Sequence, residues 1–146
     1  MRSGTLPTHQ IVGLGQAAQL MADKMVAEAE HIETLRARLL RRITQLPDVH
    51  INGSTEHYWA GIVNVGFGGV DGETLLLALD ELAVSTGSAC TSATVEPSYV
   101  LRGIGVADDL AHASIRFSIG RFTSSEEVDR AGEQVVTVVE RLRAAR

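Results

Sequence analysis

The longest apolar pattern in the chain predicts a helix from His9 to about Leu46. Its apolar residues recur every three or four positions, which places them on one helical face, and Pro47 ends the pattern. Thr8 is expected to cap the start, and Glu28 interrupts the apolar stripe. The stripe consists of Leu14, Ala18, Met21, Met25, Ile32, Leu35, Leu39, Ile43 and Leu46. Its length indicates a helix that lies along a core or a partner.

A two-residue alternation of apolar and polar positions predicts strands elsewhere. It favours strands over Val49–Asn52, Gly61–Phe67 and Ser114–Ile119, and a further short strand over Ala83–Ser85. In the last of the three longer strands, isoleucine and phenylalanine occupy one face, whereas two serines and Arg116 occupy the other. This strand therefore has one face suited to a core and one polar face.

Helical signals fill the remaining segments. Helices are expected over Gly72–Leu82 and from Pro97 to about Gly103–Gly105, and a final helix begins with Ser124 or Ser125 as its cap. Strands separated in this way by helices favour an α/β fold, in which a small mixed or antiparallel sheet carries helices on one side. The chain is expected to form a single domain.

Composition narrows the class of protein. The chain has 146 residues, 45% of them hydrophobic and 21% charged, with a net charge of −5, which suits a globular domain and argues against nucleic-acid binding. No apolar stretch approaches the roughly 20 residues needed to cross a bilayer. One cysteine cannot form an intramolecular disulfide, so a cytoplasmic location is expected. Lys24 is the only lysine, so Schiff-base chemistry must use it or borrow one from another chain.

That single cysteine, Cys90, lies in an unusual segment. Ser85–Ala93 contains nine residues, all small, and none is charged or aromatic. Such a segment is typical of a loop that leaves a sulfur uncovered, whereas cysteines in a core usually have large apolar neighbours. Our hypothesis is that the loop carries a sulfur nucleophile. The alternative is a buried, inert thiol.

Arg116 is the second candidate for chemistry. A charged side chain in the middle of a strand must be paired or must face a polar cleft, and arginine binds a carboxylate through two parallel hydrogen bonds. The alternatives are a solvent-facing strand residue and a structural salt bridge. The same alternative roles apply to Arg102 and Arg121.

The histidines give a weaker signal. None of the five forms an i, i+4 pair or has a second cysteine to join, so no metal site is expected. His112 is the best candidate for a base beside Cys90, since such partners need not be close in sequence; the alternative is a surface histidine without a catalytic role.

Four segments together resemble a known family. They are Arg2–Pro7 (RSGTLP), Ser88–Ser92 (SACTS), Glu96–Arg102 (EPSYVLR) and Ser114–Arg121 (SIRFSIGR). In order and spacing they are similar to the C-terminal portion of the IscS/NifS-type cysteine desulfurases, which are pyridoxal-phosphate enzymes of fold type I in the class V aminotransferase family. The resemblance covers essentially the whole chain.

The resemblance implies a homodimeric enzyme that converts L-cysteine to L-alanine and holds the released sulfur as a persulfide. In that scheme Cys90 attacks the sulfur of the cofactor-bound substrate, and Arg116 binds the substrate's α-carboxylate. Thr5 reaches the cofactor phosphate of the neighbouring subunit. The sulfur passes to an iron–sulfur scaffold protein or a tRNA-thiolation acceptor, and Cys90 could serve transiently as a cluster ligand through its persulfide.

The chain also departs from that family. The family's cofactor lysine follows a histidine in a larger N-terminal domain, whereas Lys24 follows Asp23 within the long helix. Residues 1–146 are therefore expected to be the small C-terminal domain with its linking helix (about 9–46), without the large cofactor-binding domain and inactive alone. A severed domain should expose the apolar face of that helix.

Two other functions stay open at this point. One is a stand-alone module that binds a partner desulfurase or accepts a persulfide without a cofactor. The other is a structural thiol domain with no sulfur chemistry.

Overall fold

A computed structural model describes residues 4–86 and 97–145 and confirms the expected α/β fold. The described elements are α1 (Thr8–Ile43), β1 (Val49–Asn52), β2 (Ile62–Phe67), α2 (Gly72–Ala78), α3 (Tyr99–Gly103), α4 (Asp108–His112), β3 (Ser114–Ser118) and α5 (Ser125–Ala144). None of the helices in these two ranges is long and apolar enough to cross a membrane.

The three strands form an antiparallel sheet in the order β1-β2-β3. Because side chains alternate along a strand, the sheet has two different faces. Val65, Ile115 and Phe117 are buried on one of them, which we call the core face. The opposite face, which we call the outer face, carries mainly polar side chains and glycine. The predicted division of the last strand into an apolar and a polar face is thereby confirmed.

Two long helices cover the core face. The C-terminal half of α1 packs beside α5, and Arg38 donates two hydrogen bonds of 2.5 and 2.6 Å to Asp129 across that interface. α5 begins with a reciprocal cap, in which the Ser124 hydroxyl accepts from the Glu127 amide and the Glu127 carboxylate accepts from the Ser124 amide. The hydrophobic core lies between this helix pair and the core face of the sheet.

The apolar stripe of α1 divides into two parts. Ile32, Leu35, Leu39 and Ile43 are buried in the core, whereas Leu14 is 73% exposed and Met21 and Met25 are also exposed. A helix of 36 residues is about 54 Å long, while the 20 residues of α5 span only about 30 Å. The first half of α1 therefore extends beyond the elements that could cover it.

Some element boundaries differ from the predictions. Thr8 is the first helical residue and not the cap: Pro7 occupies the cap position, and no side chain closes it with a hydrogen bond. The helix expected over Gly72–Leu82 ends at Ala78, where the buried Leu79 leaves the helical conformation. The strand expected over Ala83–Ser85 is reduced to a single bridge at Ser85.

α4 was not predicted. With five residues it is too short to show a helical period, although Asp108 and Asp109 occupy its first turn, where the helix dipole favours acidic groups. It leads directly into β3 and contacts β2, so it lies next to the outer face. This position makes it relevant to the site.

Candidate functional site

A row of polar residues crosses the outer face of the sheet. Asn52 in β1 lies opposite Asn64 in β2, Asn64 lies opposite Arg116 in β3, and Arg116 lies opposite Ser85. Directly opposed residues of antiparallel strands project from the same face, with Cβ atoms about 4.5–5.5 Å apart. The register therefore gathers these four side chains side by side, and we call them the polar row.

The last contact of the polar row is fixed by backbone hydrogen bonds. The amide of Arg116 donates to the carbonyl of Ser85 at 2.6 Å, and the amide of Ser85 donates back at 3.4 Å. This bridge holds the segment that precedes Cys90 in sequence against the strand that carries Arg116. Two of the predicted features are thus joined at one edge of the sheet.

α4 borders one side of the polar row. Gly66 lies in β2 beneath Leu110, and a Cβ atom on Gly66 would lie 2.7 Å from Leu110 Cδ1. The absence of a side chain at Gly66 lets α4 approach the sheet closely. Arg116, farther along the same face, is exposed among the described residues.

A chain of hydrogen bonds orients the first two members of the row. The Ser114 hydroxyl donates to the carbonyl of Leu110 at 2.7 Å and accepts from Asn52 Nδ2 at 2.9 Å. Asn52 Nδ2 also donates to Asn64 Oδ1 at 2.6 Å. Ser114 is fully buried, whereas Asn52 and Asn64 are half-buried. The hydrogen-bond chain runs from Leu110 in α4 across the sheet to Asn64.

Arg116 differs from the other arginines considered from the sequence. Arg102 pairs with Asp108 through hydrogen bonds of 2.7 and 2.9 Å, and Arg121 lies 3.0 Å from Glu28. The hydrogen bond from Arg102 holds the pKa of Asp108 below its ordinary value. Arg116 is exposed, and within residues 4–86 and 97–145 its side chain forms no ion pair. Its guanidinium is therefore not neutralised by a carboxylate of any described residue.

The other predicted site residues are not brought together with Arg116 by the described contacts. Cys90 lies outside the described residues. Thr5 is exposed in the segment before α1, next to Gly4, which has a φ of +106°. His112 is exposed at the end of α4. The role of each stays a prediction.

The residues present do not form a complete pyridoxal-phosphate site. Such a site needs a lysine amine, and Lys24 is exposed near the middle of α1, among residues that are themselves exposed. The hydroxyl of Thr5 is open to a phosphate, but no described contact links it to Lys24. If the protein uses this cofactor, the lysine that binds it must therefore be supplied by residues outside 1–146.

A cavity of about 430 Å³ lies between residues 81–84, the end of β3 and the first half of α5. None of the predicted site residues lines it. Gln134 borders it, but the side-chain oxygen of Gln134 is closed off from solvent and has no hydrogen-bond partner among the described residues. The described residues also contain no group of three metal-ligating side chains. The polar row is therefore the better candidate site.

Comparison with known proteins shows the family. Residues 1–131 match the family model described as aminotransferase class-V. The chain belongs to the class V aminotransferase family. It is 54% identical over 143 residues to the cysteine desulfurase IscS of Proteus mirabilis and 58% identical over 131 residues to that of Tolumonas auensis. The resemblance inferred from the four sequence segments is confirmed.

This class V aminotransferase chain spans about a third of the length of those relatives. The matched part is 98% of the chain but 35% of the Proteus mirabilis protein. A solved structure titled NifS-like protein matches 97% of the chain and 36% of its own length, with a TM-score of 0.79 and 27% identity. A NifS-like protein from Rickettsia africae, 23% identical with a TM-score of 0.79, shares the fold.

Sequence reasoning missed the polar neighbours of Arg116 in this class V aminotransferase chain. Asn64 is the one polar side chain within the apolar run of β2, and that exception could have indicated a polar neighbour across the sheet. Asn52 was assigned to the end of a short strand, without a partner across the sheet. The pairing of the two with Arg116 depends on strand register, which the alternation alone did not fix.

Proposed function

We propose that the chain is the small-domain part of a cysteine desulfurase, in which Arg116 binds the substrate carboxylate and Cys90 receives the sulfur. The relatives that match almost the whole chain are named cysteine desulfurase IscS. The observation that carries the proposal is the exposed Arg116, without an ion-pair partner in the described part of the chain and bridged to Ser85.

The bridge limits how far Cys90 can be from Arg116. Cys90 follows Ser85 by five residues, and five residues span at most about 18 Å. Ser85 is held to the backbone of Arg116, so the length of the intervening chain permits the sulfur to reach a molecule whose carboxylate Arg116 binds. A bidentate arginine fork also fixes the orientation of that molecule.

The proposed reaction is balanced without an external oxidant or reductant. The sulfur of L-cysteine forms an S–S bond with the Cys90 sulfur as its bond to carbon breaks. The carbon keeps the electron pair and takes a proton, which gives L-alanine and a persulfide on Cys90. Since the thiolate is the reactive form of cysteine, Cys90 must lose its proton first.

The proposal requires a second, larger domain. Residues 1–146, with the linking helix at about 9–46, would be the small domain, and the larger domain would supply pyridoxal phosphate and its lysine. The exposed apolar first half of α1 supports this, because such a face is costly to leave in water. The complete enzyme is proposed to be a homodimer in which Thr5 contacts the phosphate in the neighbouring subunit. An iron–sulfur scaffold or a tRNA-thiolation protein would receive the sulfur.

A chimaera tests the proposal. In it, this chain replaces the matching 143-residue segment of the Proteus mirabilis relative. With L-cysteine and pyridoxal phosphate, the chimaera should produce L-alanine, and mass spectrometry should find one extra sulfur atom on Cys90. Residues 1–146 alone should produce no alanine, because their only lysine, Lys24, is not part of a cofactor site in the described structure.

Two variants make the result specific. Cys90→Ser should abolish turnover while the cofactor colour remains, whereas Thr137→Ala, an exposed change on α5, should have no effect. Full activity in Cys90→Ser would show that another group receives the sulfur. A folded, coloured chimaera that makes no alanine would contradict the proposed activity itself.

A further inference from the structure

We propose that Asn64 is a second donor to the substrate carboxylate, held in the donating orientation by Asn52 and Ser114. The inference rests on the proposed role of Arg116. It begins from register: Asn64 is the residue directly opposite Arg116, and both project from the outer face. Their Cβ atoms therefore lie about 4.5–5.5 Å apart on that face, close enough for both side chains to contact one small molecule.

Hydrogen-bond direction decides which end of the Asn64 amide faces outward. The carbonyl of Leu110 can only accept, so the Ser114 hydroxyl donates its single hydrogen there. Ser114 must then accept from Asn52 Nδ2, whose second hydrogen goes to Asn64 Oδ1. Both hydrogens of Asn52 Nδ2 are used, and the oxygen of Asn64 is fixed toward Asn52.

The orientation leaves Asn64 Nδ2 as the outward group. No described residue accepts a hydrogen bond from it, although Asn64 is half-buried. A carboxylate held by Arg116 would present oxygens to this amide, and hydrogen bonds to a charged acceptor are stronger than neutral ones. An arginine fork binds carboxylate and phosphate alike, so the assignment of the acceptor as the α-carboxylate of an amino acid rests on the proposed function.

Binding of an amino-acid carboxylate to the isolated chain can be followed by NMR. L-alanine, added at millimolar concentration, should move the side-chain amide resonances of Asn64 and the Nε–H resonance of Arg116 saturably and with the same affinity. L-alaninamide, which lacks the carboxylate, should move neither. Wild-type protein suffices for this experiment, so it does not depend on whether a variant folds.

Variants measure the contribution of each residue. Asn64→Leu, similar in shape but without a donor, should weaken L-alanine binding about tenfold. Asn52→Leu should weaken it less, because the Asn64 donor remains but is no longer held. Arg116→Met should abolish binding, and Thr137→Ala, on a helix that packs against the core face, should leave it unchanged.

The outcomes separate this inference from the proposed function. If Arg116 responds to L-alanine but the Asn64 amide does not, and Asn64→Leu binds normally, the role of Asn64 is wrong while that of Arg116 stands. If neither residue responds, the carboxylate site proposed around Arg116 is itself contradicted.

Discussion

The two halves of α1 carry one apolar stripe but differ in what covers it. In the C-terminal half, Leu35 is 3% exposed and packs into the core between the sheet and α5. In the N-terminal half, Leu14 on the same stripe is 73% exposed. The residue type, the helix and the face are the same, so only the neighbouring elements differ.

The boundary between the halves is marked by polar contacts. Glu28, which interrupts the stripe, pairs with Arg121 at 3.0 Å, and the ring of His31 is 3.2 Å from the carbonyl oxygen of Thr123. Both partners belong to the loop between β3 and α5. The interruption of the apolar pattern thus falls where the core ends, and the stripe beyond it is a separate surface.

The largest expected difference between the halves is in stability. Leu35→Ala should lower the free energy of unfolding by about 2–5 kcal/mol, because it removes buried methyl groups and leaves a cavity. Leu14→Ala, the same change in the exposed half, should alter it by less than about 0.5 kcal/mol. Urea denaturation followed by circular dichroism would measure both.

Equal losses of unfolding free energy in Leu35→Ala and Leu14→Ala would contradict the conclusion that only the C-terminal half of α1 is covered. They would mean that the first half of α1 is covered in solution, for example by another copy of the chain. Repeating the measurement at several protein concentrations would identify that case, since an association makes the apparent stability depend on concentration.

The sequence predicted the elements better than their partners. The three- and four-residue spacing placed Leu14 and Leu35 correctly on one face, but that spacing depends only on the helix and contains no information about its neighbours. In the same way, the alternation in β3 separated Arg116 from the core, yet the position of Asn64 opposite it depended on register. The periodicity of a helix or strand is determined by a few neighbouring residues. The pairing register of the strands, and which elements cover a helix face, depend on segments that are distant in sequence.

A smaller effect concerns self-association. Leu14→Gln combined with Met25→Gln should reduce association of the chain, because both changes remove exposed apolar surface. The free energy of unfolding of the monomer should stay within about 0.5 kcal/mol of wild type. Sedimentation velocity would follow the association. An unchanged distribution of species would show that this part of the stripe is not the surface through which the chain associates.

The smallest expected effect is a pH dependence of stability, and it comes from the buried half of α1. The Arg38 guanidinium, hydrogen-bonded to Asp129 between α1 and α5, lowers the pKa of that carboxyl below its ordinary value of 3.8. Because the folded pKa is the lower one, the stabilising contribution is complete above the unfolded value and is lost as pH falls through the folded value.

Asp129→Asn should therefore reduce the melting temperature slightly at neutral pH, and the difference from wild type should disappear as pH falls below about 3.8. The effect is small because both side chains are about half exposed, so solvent screens their attraction. Asp23→Asn, a matched loss of one charge in the exposed half, should not change the melting temperature at neutral pH. A difference between wild type and Asp129→Asn that grew toward acid pH would have the wrong sign, and would mean that the Arg38–Asp129 pair does not join the two helices in solution.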